Sequence, residues 1–254
     1  MKIITSIFDL NKEIKDYKNI GFVPTMGGIH EGHKSLIKAS QNKKRMTIVS
    51  IFVNPTQFNK KDDFKKYPRN IQKDIGILEK LNVEYLFTPN TKDIYKLKDK
   101  KFNLKKKDKI LCAKYRIGHF EGVLNVMNRL MTIIKSKDLY MGEKDYQQLY
   151  LIKKFLSKKF KVRINSCPTI RINNIALSTR NKLLKKKSIK KASEIALFLK
   201  KVKYKSKFEG TKLASDLHNY KIKLEKKYCI KVDYLEFRDE KNLELNNFKN
   251  KFRL

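Results

Sequence analysis

Short apolar segments alternate with segments of helical period through the first two thirds of the chain. Runs of apolar and β-branched residues predict buried strands, whereas apolar residues spaced three and four apart predict amphipathic helices. This alternation is typical of βαβ units and indicates a parallel sheet. We therefore predict strands over residues 20–25, 46–53, 83–88, 138–141 and 161–166, and helices over residues 35–41, 71–81, 121–135 and 146–159.

The pattern changes after residue 168. Two lysine-rich segments, residues 189–203 and 212–227, predict helices, and the alternating residues 231–237 predict a single strand. Residues 246–254 are polar and basic, so they add no clear strand to a small sheet. We therefore expect the second part of the protein to be small and shortened.

These patterns predict an α/β protein with a Rossmann-like parallel-sheet domain over residues 1–168 and a small, shortened C-terminal α+β domain over residues 169–254. Between two of the predicted elements, the charged residues 95–109 have little periodicity and predict a surface loop.

Composition fits a globular protein, because 41% of the 254 residues are hydrophobic. The longest apolar stretch is interrupted by Asn54 and Pro55, which argues against a membrane span. Asp9 and Glu13 occupy positions where a signal peptide would be apolar, so we expect a cytoplasmic protein. Three widely separated cysteines argue against disulfides and against a zinc site.

The formal net charge of +36 raises the possibility of RNA binding. The lysines, however, are spread along the whole chain, and their short clusters lack the interleaved aromatic residues of a stacking surface. We therefore favour a general lysine bias of solvated faces, and we predict no dedicated nucleic-acid partner.

One glycine-containing segment, residues 23–33, lies where a strand ends and a helix begins. Such a junction binds phosphate, because free backbone N–H groups and the helix dipole favour an anion. His30 and His33 are three residues apart and can share a helix face. A buried core histidine or a metal pair is the alternative, but no third metal ligand is evident, and we predict no metal site.

The motif Pro-Thr-Met-Gly-x-x-His-x-Gly-His resembles the signature of the nucleotidyltransferase superfamily. Together with later blocks it is similar to the pantothenate synthetase family. Those blocks are residues 50–58 (SIFVNPTQF), 67–69 (YPR), 118–122 (GHFEG), 142–148 (GEKDYQQ) and 177–181 (LSTRN). They occur in the family's order and extend over most of the chain.

The resemblance implies a ligase that condenses pantoate with beta-alanine and converts ATP to AMP and pyrophosphate through a pantoyl adenylate. Magnesium would arrive with ATP, and a homodimer is expected. Another adenylyltransferase is the alternative within the same broad class, since it would share His30 and His33 without needing a pair of glutamines. The small C-terminal domain would act as a lid.

The resemblance also implies roles for individual residues. His30, His33, Lys144 and Arg180 are the expected catalytic residues, and each would contact phosphate. Gln57 and Gln148 would bind pantoate with Asn54 beside them, because neutral amides leave the carboxylate nucleophilic. The expected ATP-binding residues are Thr25, Met26, His30, Gly32, His33, Gly142, Lys144, Asp145, Leu177, Ser178, Thr179 and Arg180.

The sequence departs from the family pattern at a few positions. Thr179 replaces a serine, which keeps the hydroxyl and adds a methyl group. Cys112 and Ala113 replace a Glu-Gly pair upstream of His119. His119 is either a site residue or a helix cap, and we favour the cap. Residues 178–180 alone fit a helix cap as well as a phosphate loop; the resemblance favours the phosphate loop.

Overall fold

The computed structural model describes residues 1–96, 101–245 and 251–254, without the side chains of residues 207–214. These residues form two compact units. The first contains Met1–Ile170 and Leu177–Lys182, and the second contains Arg171–Ala176 and Leu183–Leu254. The segment 177–182 therefore belongs with the first unit, although it follows part of the second in the chain.

The first unit is built on a six-stranded, all-parallel sheet, which confirms the predicted α/β class with a Rossmann-like sheet. The strands are β1 (Lys2–Ile4), β2 (Ile20–Thr25), β3 (Met46–Ile51), β4 (Tyr85–Phe87), β5 (Asp138–Gly142) and β6 (Arg163–Cys167). Their order across the sheet is β1-β4-β3-β2-β5-β6.

Helices connect these strands. They are α1 (Ile7–Ile14), α2 (Glu31–Asn42), α3 (Lys61–Lys66), α4 (Ile71–Lys80), α5 (Thr91–Lys96), α6 (Cys112–Tyr115), α7 (His119–Ile134) and α8 (Tyr146–Phe160). Short 3-10 turns lie at Pro55–Gln57, Lys106–Asp108, Glu143–Asp145 and Thr179–Leu183.

Alternation along the strands gives the sheet two buried faces. Phe22 and Ile48 belong to one apolar cluster with residues of α1, α7 and α8. Their neighbours Val23 and Val49 belong to a second cluster with Leu36 and other residues of α2 and α4. A strand that is covered on both faces needs an apolar residue at every position, which is why the strands could be recognised in the sequence.

A crevice opens where the strand order reverses. β2 pairs with β5 only at Gly21 and Phe22, whereas β2 pairs with β3 along its whole length. Pro24, which has no backbone N–H to donate, follows two residues after the last pair. The carboxyl ends of β2 and β5 are therefore free to separate, as they do at ligand sites of open α/β sheets.

The predicted strands and helices of the first unit are confirmed with shifts of a few residues at their ends. β1 and α1 were not predicted. β1 is an edge strand of three residues, which gives almost no periodic signal. The predicted loop over residues 95–109 is wrong in part, because it contains the end of α5 and the turn Lys106–Asp108. Residues 97–100 of that prediction lie outside the described residues.

In its described residues, the second unit contains two short antiparallel pairs and one long helix. Strands β7 (Arg171–Ile172) and β8 (Ile175–Ala176) form one pair, and β9 (Arg238–Asp239) and β10 (Phe252–Arg253) form the other. Helix α9 is continuous over Lys186–Tyr228. The prediction of two helices was wrong, because Gly210 within a helix costs only about 1 kcal/mol and does not end it.

The predicted strand over residues 231–237 was also wrong. Its alternation places Leu235 and Phe237 in a small apolar cluster with Val202 and Leu217. No described strand pairs with these residues, and a strand requires a hydrogen-bonded neighbour. Part of the C-terminal segment does pair, since Phe252 lies opposite Asp239 in β10, whereas residues 246–250 lie outside the described residues.

Candidate active site

The turn after β2 is held by side chains from other segments. Asp74 on α4 is 3% exposed and accepts hydrogen bonds from the backbone N–H groups of Gly28 at 2.7 Å and Ile29 at 2.8 Å. The hydroxyl of Thr25 accepts from the N–H of Gly27 at 3.1 Å. The N–H groups of the turn are therefore bonded within the protein, and phosphate binding at this strand–helix junction stays a prediction.

On its other side the turn contacts Thr179. Gly28 has a φ of +65°, and a Cβ atom there would lie 2.3 Å from the methyl carbon of Thr179. The Thr179 hydroxyl donates to the carbonyl oxygen of Gly28 at 3.2 Å, and Thr179 is 4% exposed. Glycine is therefore required at this position both by the backbone conformation and by the close approach of residue 179.

His30 and His33 lie at the start of α2 with their rings stacked 4.1 Å apart. His30 is the N-cap, and its Nδ1 accepts the N–H of Gly32 at 3.1 Å. A neutral His30 must then carry its proton on Nε2, which is left as a donor. Nδ1 of His33 is buried and makes no hydrogen bond to any described residue.

Both imidazoles are neutral at physiological pH. Burial, followed by the charges of His30 and Lys144, lowers the pKa of His33 to about 3. Burial and the charges of Lys144 and Lys182 also lower the pKa of His30. The pair therefore carries N–H dipoles and adds no fixed charge of its own.

Cationic side chains come from two other segments. Lys144 belongs to the turn Glu143–Asp145 that follows β5, and its Nζ lies 3.2 Å from Oδ1 of the neighbouring Asp145. Arg180 belongs to the turn that begins at Thr179, and it forms a two-point ion pair with Asp63 on α3. Both cations line the crevice beside the histidines.

Another part of the crevice is lined by neutral amides. Asn54 is 1% exposed, and its Nδ2 donates to Oε1 of Gln57 at 3.1 Å and to the carbonyl oxygen of Gly122 at 3.2 Å. Its Oδ1 accepts from the hydroxyl of Tyr95 at 2.6 Å and from Thr56. Asn54 is therefore fully occupied within the protein, and it fixes which way the Gln57 amide points.

Gln57 directs its Nε2 toward Sδ of Met26, at 2.9 Å. Sulfur is a weak acceptor, so this amide remains available to a better one. Gln148 on α8 lines the same crevice. Its side-chain amide makes no hydrogen bond to the described residues. Its neighbour Gln147 donates to the carbonyl oxygen of Ile110 at 2.7 Å, so only one of the adjacent glutamines faces the crevice.

The structure brings every predicted site residue to this one crevice. They are Thr25, Met26, His30, Gly32, His33, Asn54, Gln57, Gly142, Lys144, Asp145, Gln148, Leu177, Ser178, Thr179 and Arg180. Among the described residues, no cluster of three or more His, Cys, Asp and Glu side chains could hold a metal ion.

His119 is not a helix cap, contrary to the interpretation favoured from the sequence. Gly118 is the N-cap of α7, and His119 is the first helical residue, 6% exposed, lining the crevice. Its Nδ1 lies 2.6 Å from the carbonyl oxygen of Gln57. A carbonyl only accepts, so neutral His119 donates from Nδ1. Burial lowers its pKa, partly offset by this hydrogen bond.

Sequence reasoning missed Asp63, Asp74 and Arg116. Arg116 lines the crevice, and burial lowers the pKa of its guanidinium. Asp74 could have been found from the sequence, because it lies four residues before the buried Leu78 on the apolar face of α4. A carboxylate on such a stripe must find donors, and here the donors are 45 residues or more distant in sequence.

An open parallel sheet with imidazole and cationic side chains at its topological switch point is typical of nucleotide-binding α/β enzymes, and this chain is of that class. The profile of the Pantoate-beta-alanine ligase family matches residues 2–253. The chain belongs to the pantoate-beta-alanine ligase family. It is accordingly a ligase that joins pantoate to beta-alanine with the use of ATP.

Individual relatives agree with the family. A pantothenate synthetase of Francisella tularensis subsp. novicida is 47% identical over 193 residues, which are 73% of this chain and 72% of the relative. One from Flavobacterium psychrophilum is 38% identical over 244 residues, which are 94% and 86% of the two chains.

Solved structures are similar over nearly the whole chain. A pantoate-beta-alanine ligase from Francisella tularensis, complexed with beta-gamma ATP and beta-alanine, has a TM-score of 0.83 and 39% identity. A pantothenate synthetase from Thermus thermophilus has a TM-score of 0.87 and 26% identity. Each comparison covers 97% of this chain and 90% of the other. Within the described ranges, no helix is long and apolar enough to cross a membrane.

Proposed function

We propose that the ligation proceeds through a pantoyl adenylate. A carboxylate oxygen of pantoate attacks the α-phosphorus of ATP, and the bond to the departing pyrophosphate breaks. The amine of beta-alanine then attacks the acyl carbon, loses a proton, and displaces AMP. The observation that carries this proposal is the presence, in one crevice, of imidazole and cationic donors beside a fixed neutral amide.

The imidazole and cationic side binds the nucleotide. His30, His33, Lys144 and Arg180 contact the phosphates and stabilise the negative charge that develops on pyrophosphate. Gly142 and Asp145 hold the ribose. The remaining ATP-binding residues of this proposal are Thr25, Met26, Gly32, Leu177, Ser178 and Thr179. A neutral imidazole still carries one ring N–H, which can donate a hydrogen bond to a phosphate oxygen.

The amide side binds pantoate. Gln57 and Gln148 contact its hydroxyl and carboxylate groups, and Asn54 acts through Gln57 by holding its amide in one orientation. A neutral donor leaves the carboxylate nucleophilic, whereas a tight cation would lower its reactivity. Because the amide of Gln57 is already oriented, little side-chain freedom is lost when the substrate binds.

Magnesium enters as part of the substrate, bound to the phosphates of ATP. Support comes from the groups that line the crevice. Apart from the carboxylate of Asp145, they are mostly imidazole, cationic and amide groups, which Mg²⁺ binds less well than carboxylate oxygen. We also propose a cytoplasmic homodimer. An ATP-dependent reaction and the lack of a disulfide among the described cysteines fit the cytoplasm, and the family resemblance implies the homodimer. The absence of a dedicated nucleic-acid partner stays a prediction.

We further propose that residues 1–168, together with the segment 177–182, carry the ATP and pantoate sites, and that the rest of residues 169–254 acts as a lid. Described by itself, the second unit has a small apolar cluster and two-stranded sheets, which indicates low local stability. Limited proteolysis should cut first beyond Thr169, and ATP with pantoate should slow that cut. Equal resistance of both segments without ligand would contradict the proposal.

Exchange of labelled pyrophosphate into ATP tests the adenylate. The first half-reaction is complete without beta-alanine, so label should enter ATP when pantoate and magnesium are present and beta-alanine is left out. Omitting pantoate should abolish exchange. Exchange that is independent of pantoate would contradict the proposed intermediate, and an absolute requirement for beta-alanine would indicate a concerted reaction.

A further inference from the structure

Arg180 is held by a carboxylate that the sequence did not bring to attention. Asp63 on α3 accepts hydrogen bonds from Nε of Arg180 at 3.1 Å and from Nη2 at 2.9 Å. Such a two-point contact fixes the plane of a guanidinium as well as its position.

Aromatic rings support the same guanidinium. Its central carbon lies 5.0 Å from the ring centre of Tyr67 and 5.7 Å from that of Phe58. The two rings pack edge to face, 5.7 Å apart, so they form a continuous surface. Arg180 is therefore restrained both by this surface and by the carboxylate of Asp63.

The contact with Asp63 leaves one edge of Arg180 free for a ligand. A guanidinium carries five N–H groups in a fixed plane, and Asp63 uses the edge formed by Nε and Nη2. Nη1 makes no hydrogen bond to the residues that the structure describes. Since Arg180 lines the crevice, its second edge is available to an anion there.

We propose that Asp63 is a positioning residue, which holds one edge of Arg180 so that the other edge meets the triphosphate of ATP. This inference rests on the proposed phosphate-binding role of Arg180. Asp63 contacts no substrate itself. Its contribution is to keep the guanidinium in the orientation that the transition state needs.

The ion pair adds little to folding stability. The two side chains are 40% and 38% exposed, and pairs with that exposure are screened by solvent. Removing the carboxylate should therefore leave the protein folded, so kinetics can report on positioning alone. Asp62 is a matched control, because it is an exposed aspartate of the same helical turn and forms no ion pair with the described residues.

The first measurement compares Asp63→Asn with Asp62→Asn in the complete reaction. Asp63→Asn should lower kcat/KM for ATP about 10-fold, because misplacing one donor weakens transition-state contacts. KM for pantoate and the melting temperature should stay close to wild type. Asp62→Asn should change kcat/KM less than about 2-fold. Tighter ATP binding by Asp63→Asn would overturn the inference, since it would mean that the carboxylate competes with phosphate.

A double-mutant cycle with Arg180→Gln separates this inference from the proposed function. In the Arg180→Gln background, Asp63→Asn should cause no further loss, since the group it positions is gone. If Arg180→Gln alone has little effect, the proposed role of Arg180 is wrong. Two outcomes would show that the positioning role of Asp63 is wrong. In the first, Arg180→Gln lowers kcat/KM severely but Asp63→Asn does not lower it. In the second, the loss of kcat/KM in the double variant equals the product of the two single losses.

Discussion

The two sides of the crevice are prepared differently for their substrates. On the imidazole and cationic side, His33 Nδ1 has no hydrogen-bond partner among the described residues, and Lys144 pairs there only with its exposed neighbour Asp145. On the amide side, Asn54 and Gln57 are joined by hydrogen bonds within the protein. On the first side, His33 and Lys144 therefore remain available to a highly charged ligand, although Arg180 is already oriented by Asp63. On the second side, the orientation of Gln57 is fixed in advance.

This difference follows from the chemistry of the two ligands. A triphosphate carries several charges, so the number of donors contributes much of its affinity, although the transition state also needs Arg180 in one orientation. Pantoate presents one reactive carboxylate, which must be oriented without being neutralised. Orientation is best supplied by groups that are already held in place.

The largest effect is expected for His33→Ala. In the proposed role, His33 donates to phosphate and stabilises the transition state, so its removal should lower kcat/KM roughly 10²-fold or more. Because Nδ1 of His33 makes no hydrogen bond to the described residues, the fold should remain intact. His218→Ala, at an exposed position of α9, is the control and should leave kcat/KM unchanged. Loss of folding in His33→Ala would instead indicate a structural histidine.

Gln57→Glu should affect the binding of pantoate on the amide side and leave the binding of ATP unchanged. The new carboxylate keeps the shape of the amide but repels the carboxylate of pantoate, so KM for pantoate should rise at least about 10-fold. KM for ATP should change little. Gln72→Glu, an exposed change on α4, provides the same added charge away from the crevice. An equal rise in KM for pantoate and in KM for ATP would contradict separate binding sides for the two substrates.

The free energy of unfolding should depend on pH through the protonation of His33. Folded His33 has a pKa of about 3, whereas an unfolded histidine titrates near about 6.5. Below that value the unfolded chain binds a proton that the folded protein does not, so the free energy of unfolding should fall with decreasing pH. Urea unfolding at several pH values between neutrality and about 4 measures this slope. His33→Ala should flatten it, and an unchanged slope would contradict the assigned pKa.

Thr179→Ser is expected to have the smallest effect. The hydroxyl that donates to Gly28 is kept, so kcat/KM should change by less than about 3-fold. The lost methyl group packs against Gly28, and its removal should cost about 1 kcal/mol of unfolding free energy. Kinetics and denaturant titration of the same preparation measure both quantities. A large loss of activity would show that the methyl contact positions the turn.

The sequence predicted the first unit better than the second, for physical reasons. β2 and β3 are buried on both faces, so nearly every position in them is apolar, and the pattern is unambiguous. In α9, Gly210 and the polar residues around it resemble a loop, although the helix continues. The apolar alternation at Leu235 and Phe237 arises from packing against a small cluster, not from a sheet.

The site was predictable wherever a residue contributes its own chemistry to the crevice. His30, Lys144, Gln57 and similar residues belong to short local motifs that could be compared with a family. Asp63 and Asp74 act through residues that are far away in sequence, so no local motif contains the partnership. The use of the Gly28 and Ile29 N–H groups by Asp74 could be learned only from the folded chain.

Initial rates of pyrophosphate exchange, measured for wild type, His33→Ala and Gln57→Glu with ATP and pantoate each varied, test the separation of the two sides most directly. Beta-alanine is left out, so only adenylation is observed. We predict that His33→Ala lowers kcat/KM for ATP with little change in KM for pantoate, whereas Gln57→Glu raises KM for pantoate and leaves KM for ATP near wild type. If both variants alter the same constant, or exchange proceeds without pantoate, the two sides do not have the separate roles assigned to them.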